Sequence, residues 1–173
     1  MSGTLRWLLV TAALAVVIHV AAVMALPYAI MRVVMRQAPD GWNHVTRPPL
    51  ATAASRAIVR PSPDLAYTLC VFDVAERPLH VRAPVADGYT SLSMFAANTD
   101  NFFVVNDRQA NGEAIDLVLV GPHTPPIEAG GRQVVVARSE RGVILVRRVV
   151  ESREHFAAID ELRRGDVCAP LTE

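Results

Sequence analysis

The side chains best able to do chemistry in this chain lie in one short stretch, "NTDNFFVVNDR", as Asn98, Asp100, Asn101, Asn106, Asp107 and Arg108. Carboxylate and amide oxygens at this density are typical calcium ligands, and two carboxylates beside an arginine are the parts of an acid–base pair. Spacing weighs against both. If "FFVV" is a strand, its four residues rise roughly 13 Å, which sets the 98–101 group and the 106–107 pair at opposite ends. The glycine and terminal glutamate of an EF-hand loop do not follow at the required offsets. Asn and Asp favour tight turns, because their side chains bond their own backbone and tolerate left-handed geometry. The stretch therefore reads as two turns around a strand, and the six residues stand as a candidate polar cluster.

Other constellations are weaker. His44, His80, His123 and His155 stand alone, without the H-x-H or H-x-x-x-H spacing that sets two imidazoles on one metal. There is no nucleophile elbow and no phosphate-cradling glycine loop, and Gly130-Gly131 reads as a turn. Ser91 and Ser93 alternate on one strand face without a histidine partner, so they read as packing or surface hydroxyls. No metal and no cofactor is expected.

The elements that position these residues are strands. From Leu65 onward, runs such as "LAYTLCVFDV", "LHVRAPV", "YTSLSMFAA", "IDLVLVG", "QVVVAR" and "VILVRRVV" are rich in β-branched and aromatic residues. Turns rich in Gly, Pro, Asn and Asp bound them, the pattern of an antiparallel β-sandwich or jelly roll. One segment departs from it. In "SREHFAAIDELRR", Phe156, Ile159 and Leu162 recur at helical spacing, Ser152 can cap the start and Gly165 can stop it. This predicts a C-terminal helix packed on a sheet edge.

Ahead of the strands, residues 38 to 64 hold several prolines and read as a linker, with a short helix in "ATAASRAIV". From Trp7 to Met31 there is no formally charged residue unless His19 is protonated, a run long enough to span a bilayer as a helix. Trp7 and Tyr28 sit near its ends, as interfacial aromatics do. Pro27 is expected to kink or end the span, with "YAIMRVVMRQ" continuing as an interfacial amphipathic turn or two. A cleaved signal peptide is the rival reading, but the apolar run exceeds an ordinary h-region. The fold class is mainly β, an antiparallel sandwich or jelly-roll-like domain with one N-terminal transmembrane helix and a C-terminal helix. The expected division is an anchor over 1–37, a linker over 38–64 and the β domain over 65–173.

The formal net charge is zero and no lysine is present, so no basic face argues for nucleic acid. Arg32, Arg36 and Arg47 follow the span, and a literal positive-inside count would leave the β domain in the cytoplasm. A short tail leading straight into an apolar run is instead the form of an export signal-anchor, and the periplasmic side of a bacterial inner membrane is chosen. Cys70 and Cys168 are the only cysteines. Either they are bridged, which an oxidising compartment permits, or they are two buried free thiols; the bridge is preferred.

"SPDLAYTLCVFDV", "PLHVRAPVADGYTSLSMFAANTDNFFVVNDR" and "RGVILVRRVV" together resemble the bacterial family called domain of unknown function 1254. Its recurring elements include a "Y-W-S-L-S-x-Y" strand, an "N-x-D-N-F" turn and a "G-x-x-x-x-R" strand that Gly142 to Arg147 matches. Thr90 and Met94-Phe95 depart from it without threatening the fold. A short membrane-anchored subgroup also has an apolar helix ending in "A-L-P". The resemblance implies a β-sandwich envelope protein, with a companion domain of unknown function 1214 fused or encoded nearby. That domain is not in this sequence, so a separate companion protein is the expected partner. The resemblance supplies no reaction and no catalytic residues. The expected function is a non-enzymatic periplasmic domain that binds a partner protein or envelope component. The alternative is a subunit of a membrane-proximal enzyme acting on a lipid or glycan, which requires Asp100, Asp107 and Arg108, or Asp73 and Arg147, to converge.

Overall fold

A computed structural model of the protein describes residues 2–56, 61–110 and 112–172. Its first element is α1, Gly3–Arg36, 34 residues long. Pro27 lies inside it and the helix continues beyond, so the proline does not end the span. At 1.5 Å per residue α1 is about 51 Å long, more than the roughly 30 Å of a hydrocarbon core. The surplus is used against the protein itself. Met31, Val34, Met35 and Ala38 pack on Val71 and Val143, with Leu69 and Phe95 beside them. The segment read as an interfacial turn is thus a helix end seated on a sheet, with Arg32 and Arg36 left exposed.

Among the described residues, nine strands form two sheets. They are β1 (Val45–Thr46), β2 (Leu65–Asp73), β3 (Leu79–Pro84), β4 (Thr90–Ala96), β5 (Asn101–Asn106), β6 (Ala114–Val120), β7 (Gln133–Val136), β8 (Arg141–Val149) and β9 (Val167–Pro170). The first sheet runs β1-β2-β8-β4-β5 and the second β7-β6-β3-β9. Alternation turns one face of each inward: Cys70, Phe72, Leu92, Met94, Ile144 and Val146 from the first meet Leu79, Val81, Leu117, Leu119 and Val135 from the second. One pairing departs from the antiparallel expectation, since β7 lies parallel to β6. The chain reaches β7 by a return loop, and that loop folds Ile127 and Ala129 back over Val118 and Val120.

The linker is also more structured than its prolines suggest. Val45 and Thr46 pair with Cys70 and Leu69, and Trp42 bridges to Val71, so the linker supplies an edge strand. Residues 51–56 hold a turn, closed by Ser55 N donating to Thr52 O at 2.9 Å. The remainder of the helix expected in that stretch falls on 57–60, outside the described residues.

Helix α2 (Arg153–Leu162) starts where Ser152 Oγ accepts from His155 N at 3.1 Å. A single 3-10 turn over Arg163–Gly165 follows it. Ile159, Phe156 and Leu162 pack on Ala66, Ala86, Val150 and Leu50. Arg163 is buried beside this cluster and ties it down, its Nη1 donating to Pro48 O at 2.9 Å and Tyr67 O at 2.8 Å.

Two links fasten the sandwich. Cys70 on β2 and Cys168 on β9 are joined by a disulfide across 98 residues, Cα to Cα 6.4 Å. Arg148 is wholly buried, and its Nη1 donates to Asp166 Oδ2 at 3.0 Å. Thr68 Oγ1 donates to the same oxygen at 2.6 Å, and Arg148 Nη2 and Nε reach Pro84 O at 2.9 and 3.2 Å. A buried guanidinium is tolerable only when carboxylate and carbonyl acceptors meet it in this way.

Candidate functional site

The six residues of the polar cluster fall into two separate turns. Asn98 Nδ2 donates to Asp100 Oδ2 at 2.7 Å, and Asp100 N donates back to Asn98 Oδ1 at 3.2 Å. Between them Thr99 has φ of 72°, which is where a left-handed turn residue belongs. Asn101 opens β5, and its other end is Asn106, whose Oδ1 accepts from Arg108 N and Gln109 N at 3.1 and 3.2 Å. Gln109 Oε1 accepts from Asn106 N at 3.2 Å and completes a capping box around the short 3-10 turn Asp107–Gln109. Asp107 Oδ1 accepts from Thr90 N at 3.3 Å, and Arg108 is exposed. Five residue steps of strand, about 17 Å, separate Asn101 from Asn106. All six lie in turns or at the surface, and none lines the cleft formed beside the loop before β7.

That cleft, about 900 Å³, lies over the second sheet between the 121–132 loop and the chain's end, where Arg77, Ile127, Glu128 and Leu171 face it. Its neighbours are already paired. Asp116 Oδ1 lies 2.9 Å from His80 Nε2 and 3.1 Å from Arg132 Nε, and Asp116 Oδ2 lies 3.8 Å from Arg82 Nε. His80 is thus a hydrogen-bonding neighbour of Asp116 on a sheet face. No group of three or more His, Cys, Asp or Glu placed to hold a metal occurs among the described residues. The second pair the enzyme reading needed does not form either. Asp73 faces Arg141 across β2 and β8, with Arg141 Nε 2.8 Å from Asp73 Oδ2, whereas Arg147 lies six residues further along β8, about 20 Å away.

What Arg147 does meet is the unexpected arrangement. The register places Tyr67 opposite Arg147, Arg147 opposite Ser91, and Ser91 opposite Asn106, one row across β2, β8, β4 and β5. The next row is Leu69, Leu145, Ser93 and Val104, and the one beyond holds Val71, Val143 and Phe95, on which α1 sits. By alternation these rows form the outer face of the first sheet. Arg147 Nη2 donates to Ser93 Oγ at 3.1 Å, while its buried Nε meets no acceptor among the described residues. A buried donor left in that state costs about 1–3 kcal/mol. Ser91 and Ser93 are only 3% and 2% exposed, small floor residues between larger neighbours, whereas Val104 at the rim is 53% exposed.

The outer face of the first sheet is therefore a polar row and an apolar row side by side, next to the seated end of α1. Sequence reasoning had singled out Ser91, Ser93 and Arg147 separately and set the serines aside for want of a histidine. The signal available was the i, i+2 spacing of the serines. Their meeting with an arginine 54 residues away depends on the β4–β8 pairing, which local pattern does not encode.

Comparison with known proteins adds a family and a fold. The model of the family described as protein of unknown function (DUF1254) matches residues 42–170. A solved structure of the VPA0106 protein from Vibrio parahaemolyticus superposes with a TM-score of 0.65 at 14% identity, over 84% of this chain and 35% of that one. An uncharacterised protein from Burkholderia cenocepacia gives a TM-score of 0.45 at 15% identity, over 78% of this chain and 38% of that one. The chain thus spans little more than a third of the length of either solved protein. No curated protein matches the sequence.

Proposed function

The chain belongs to the DUF1254 family, and from that premise we propose that it is a non-enzymatic, membrane-anchored domain that binds a partner polypeptide in the bacterial envelope. In this reading α1 crosses the inner membrane, and the sandwich stands on the periplasmic side. The observation that carries it is the outer face of the first sheet. One end of that face already receives an apolar helix, α1, and the rest presents a half-buried arginine, buried hydroxyls and exposed Val104. A face of this kind suits association, because it offers both apolar area and directed donors. The Cys70–Cys168 bridge supports an oxidising compartment. Asp73, Asp100 and Asp107, the carboxylates the enzymatic alternative calls on, are held in an ion pair or in turns, which favours the binding reading.

A companion protein of the domain of unknown function 1214 class is the first partner to test. Full-length chain extracted from its own membranes in mild detergent should carry a second polypeptide in fixed ratio, read by native mass spectrometry. Recovery of this chain alone, at 18.8 kDa or as multiples of it, counts against the proposal. A C-terminal alkaline phosphatase fusion should be active, and an inactive, stably expressed fusion reverses the orientation.

A further inference from the structure

Arginines on the strands of this protein have carboxylates, with one exception. Arg141 has Asp73, Arg148 has Asp166, and Arg82 shares Asp116 with Arg132 from the loop before β7. Among the described residues Arg147 has no such partner; its guanidinium reaches Ser93 Oγ and leaves the buried Nε unmet. The cross-strand and flanking side chains Tyr67, Ser91, Ser93, Leu145 and Asn106 are all neutral. On the strands of this face Arg147 is therefore a positive charge with no carboxylate partner among the described residues, in a fork of N–H donors that matches a carboxylate.

We propose that this face seats an acidic side chain of the partner polypeptide, with Arg147 as the group that receives its carboxylate. The proposal rests on the partner-binding reading above and assigns its contact surface. A single carboxylate balances the single charge, where a doubly charged phosphate would leave an excess beside an apolar row. The side chains flanking that acid on the partner cover Leu69, Leu145 and Val104, which lie one row away on the same face. Ser93 fixes one end of the guanidinium through its 3.1 Å hydrogen bond with Nη2, and Arg147 itself is half-buried, so part of its side chain remains open to an incoming carboxylate.

The test places the photo-crosslinking residue p-benzoylphenylalanine at Val104 of the full chain in its own membranes and identifies the crosslinked segment by mass spectrometry. Arg147→Gln and Arg147→Glu should lower recovery of the detergent-extracted complex at least tenfold, with Arg147→Lys losing less. Exchanging the charges, Arg147→Glu here and the crosslinked acid to arginine in the partner, should restore recovery to within threefold. Arg82→Glu on the other sheet should change nothing, and circular dichroism of each variant should match the parent. A complex that forms as before in Arg147→Glu overturns this inference and leaves the partner reading standing. A crosslink at Val104 to lipid alone overturns it as well. Absence of any complex with the unsubstituted chain removes both.

Discussion

Replacing Asp166 by asparagine keeps the shape of the buried carboxylate and removes its charge. Arg148 is wholly buried and Asp166 nearly so, and the pair joins β8 to the segment entering β9 while Thr68 and Pro84 bring in β2 and β3. An asparagine leaves a guanidinium in the core facing an amide that has one acceptor oxygen in place of two. Breaking a buried pair by removing one partner costs about 3–5 kcal/mol. For a domain whose total stability is about 5–15 kcal/mol that is a large share, and at about 2–4 °C per kcal/mol the melting temperature should fall by about 6–20 °C. The matched control is Arg141→Gln, which breaks the pair with Asp73 at side-chain exposures of 59% and 24% and should cost about 0–1 kcal/mol. Thermal unfolding of the full chain in detergent, followed by circular dichroism, compares the two. The double replacement Arg148→Met with Asp166→Leu removes both charges and should lose less than Asp166→Asn alone. If Asp166→Asn melts with the control, or the double variant melts below the single, the buried pair is not the fastening described.

Gly142→Ala should damage the fold more than an ordinary surface change, because an added Cβ would lie 2.1 Å from Phe95 O and 2.6 Å from the Phe72 ring. The expected cost is about 1–3 kcal/mol or more, read as a lower denaturation midpoint, and an unchanged midpoint contradicts the β8–β4 packing. Alkylation without reductant should label neither Cys70 nor Cys168, and replacing both by serine should cost about 4–5 kcal/mol for a loop of 98 residues. Glu154, at the start of α2, should titrate below an ordinary glutamate, because its backbone hydrogen bond and the Ser152 hydroxyl favour the carboxylate. Its small contribution to helix stability is therefore present above the unfolded-state pKa and lost as pH falls through the folded one, which a carboxyl NMR titration follows.

Much of the architecture was legible in local pattern. Alternation located the long strands, the Phe156–Ile159–Leu162 spacing located α2, and turn chemistry explained why Asn98, Asp100 and Asn106 cluster. The reading failed where the decisive contact was distant. The prolines of the linker hid β1, because two residues beside β2 form a strand only when that neighbour is in place. Pro27 is expected to kink or end the span, and it does not end it: the helix continues because its far side packs on Val71 and Val143. The row Tyr67–Arg147–Ser91–Asn106 joins four strands that are not consecutive in the chain, so its polar residues looked isolated until the register was known. Residue type alone suggested chemistry at the turns and spacing argued against it, since side chains that bond their own backbone have the same composition as those that wait for a ligand.

The central claim is that the outer face of the first sheet is covered in the working protein. Val104→Cys introduces a thiol at its exposed rim, and Val136→Cys introduces one on an exposed edge of the second sheet as a reference. Maleimide labelling is then measured in intact membranes and again after extraction under conditions that strip partners away. Slow labelling at position 104 in membranes that becomes fast on extraction, with position 136 fast throughout, is the predicted result. Equal rates at position 104 in both states contradict the claim.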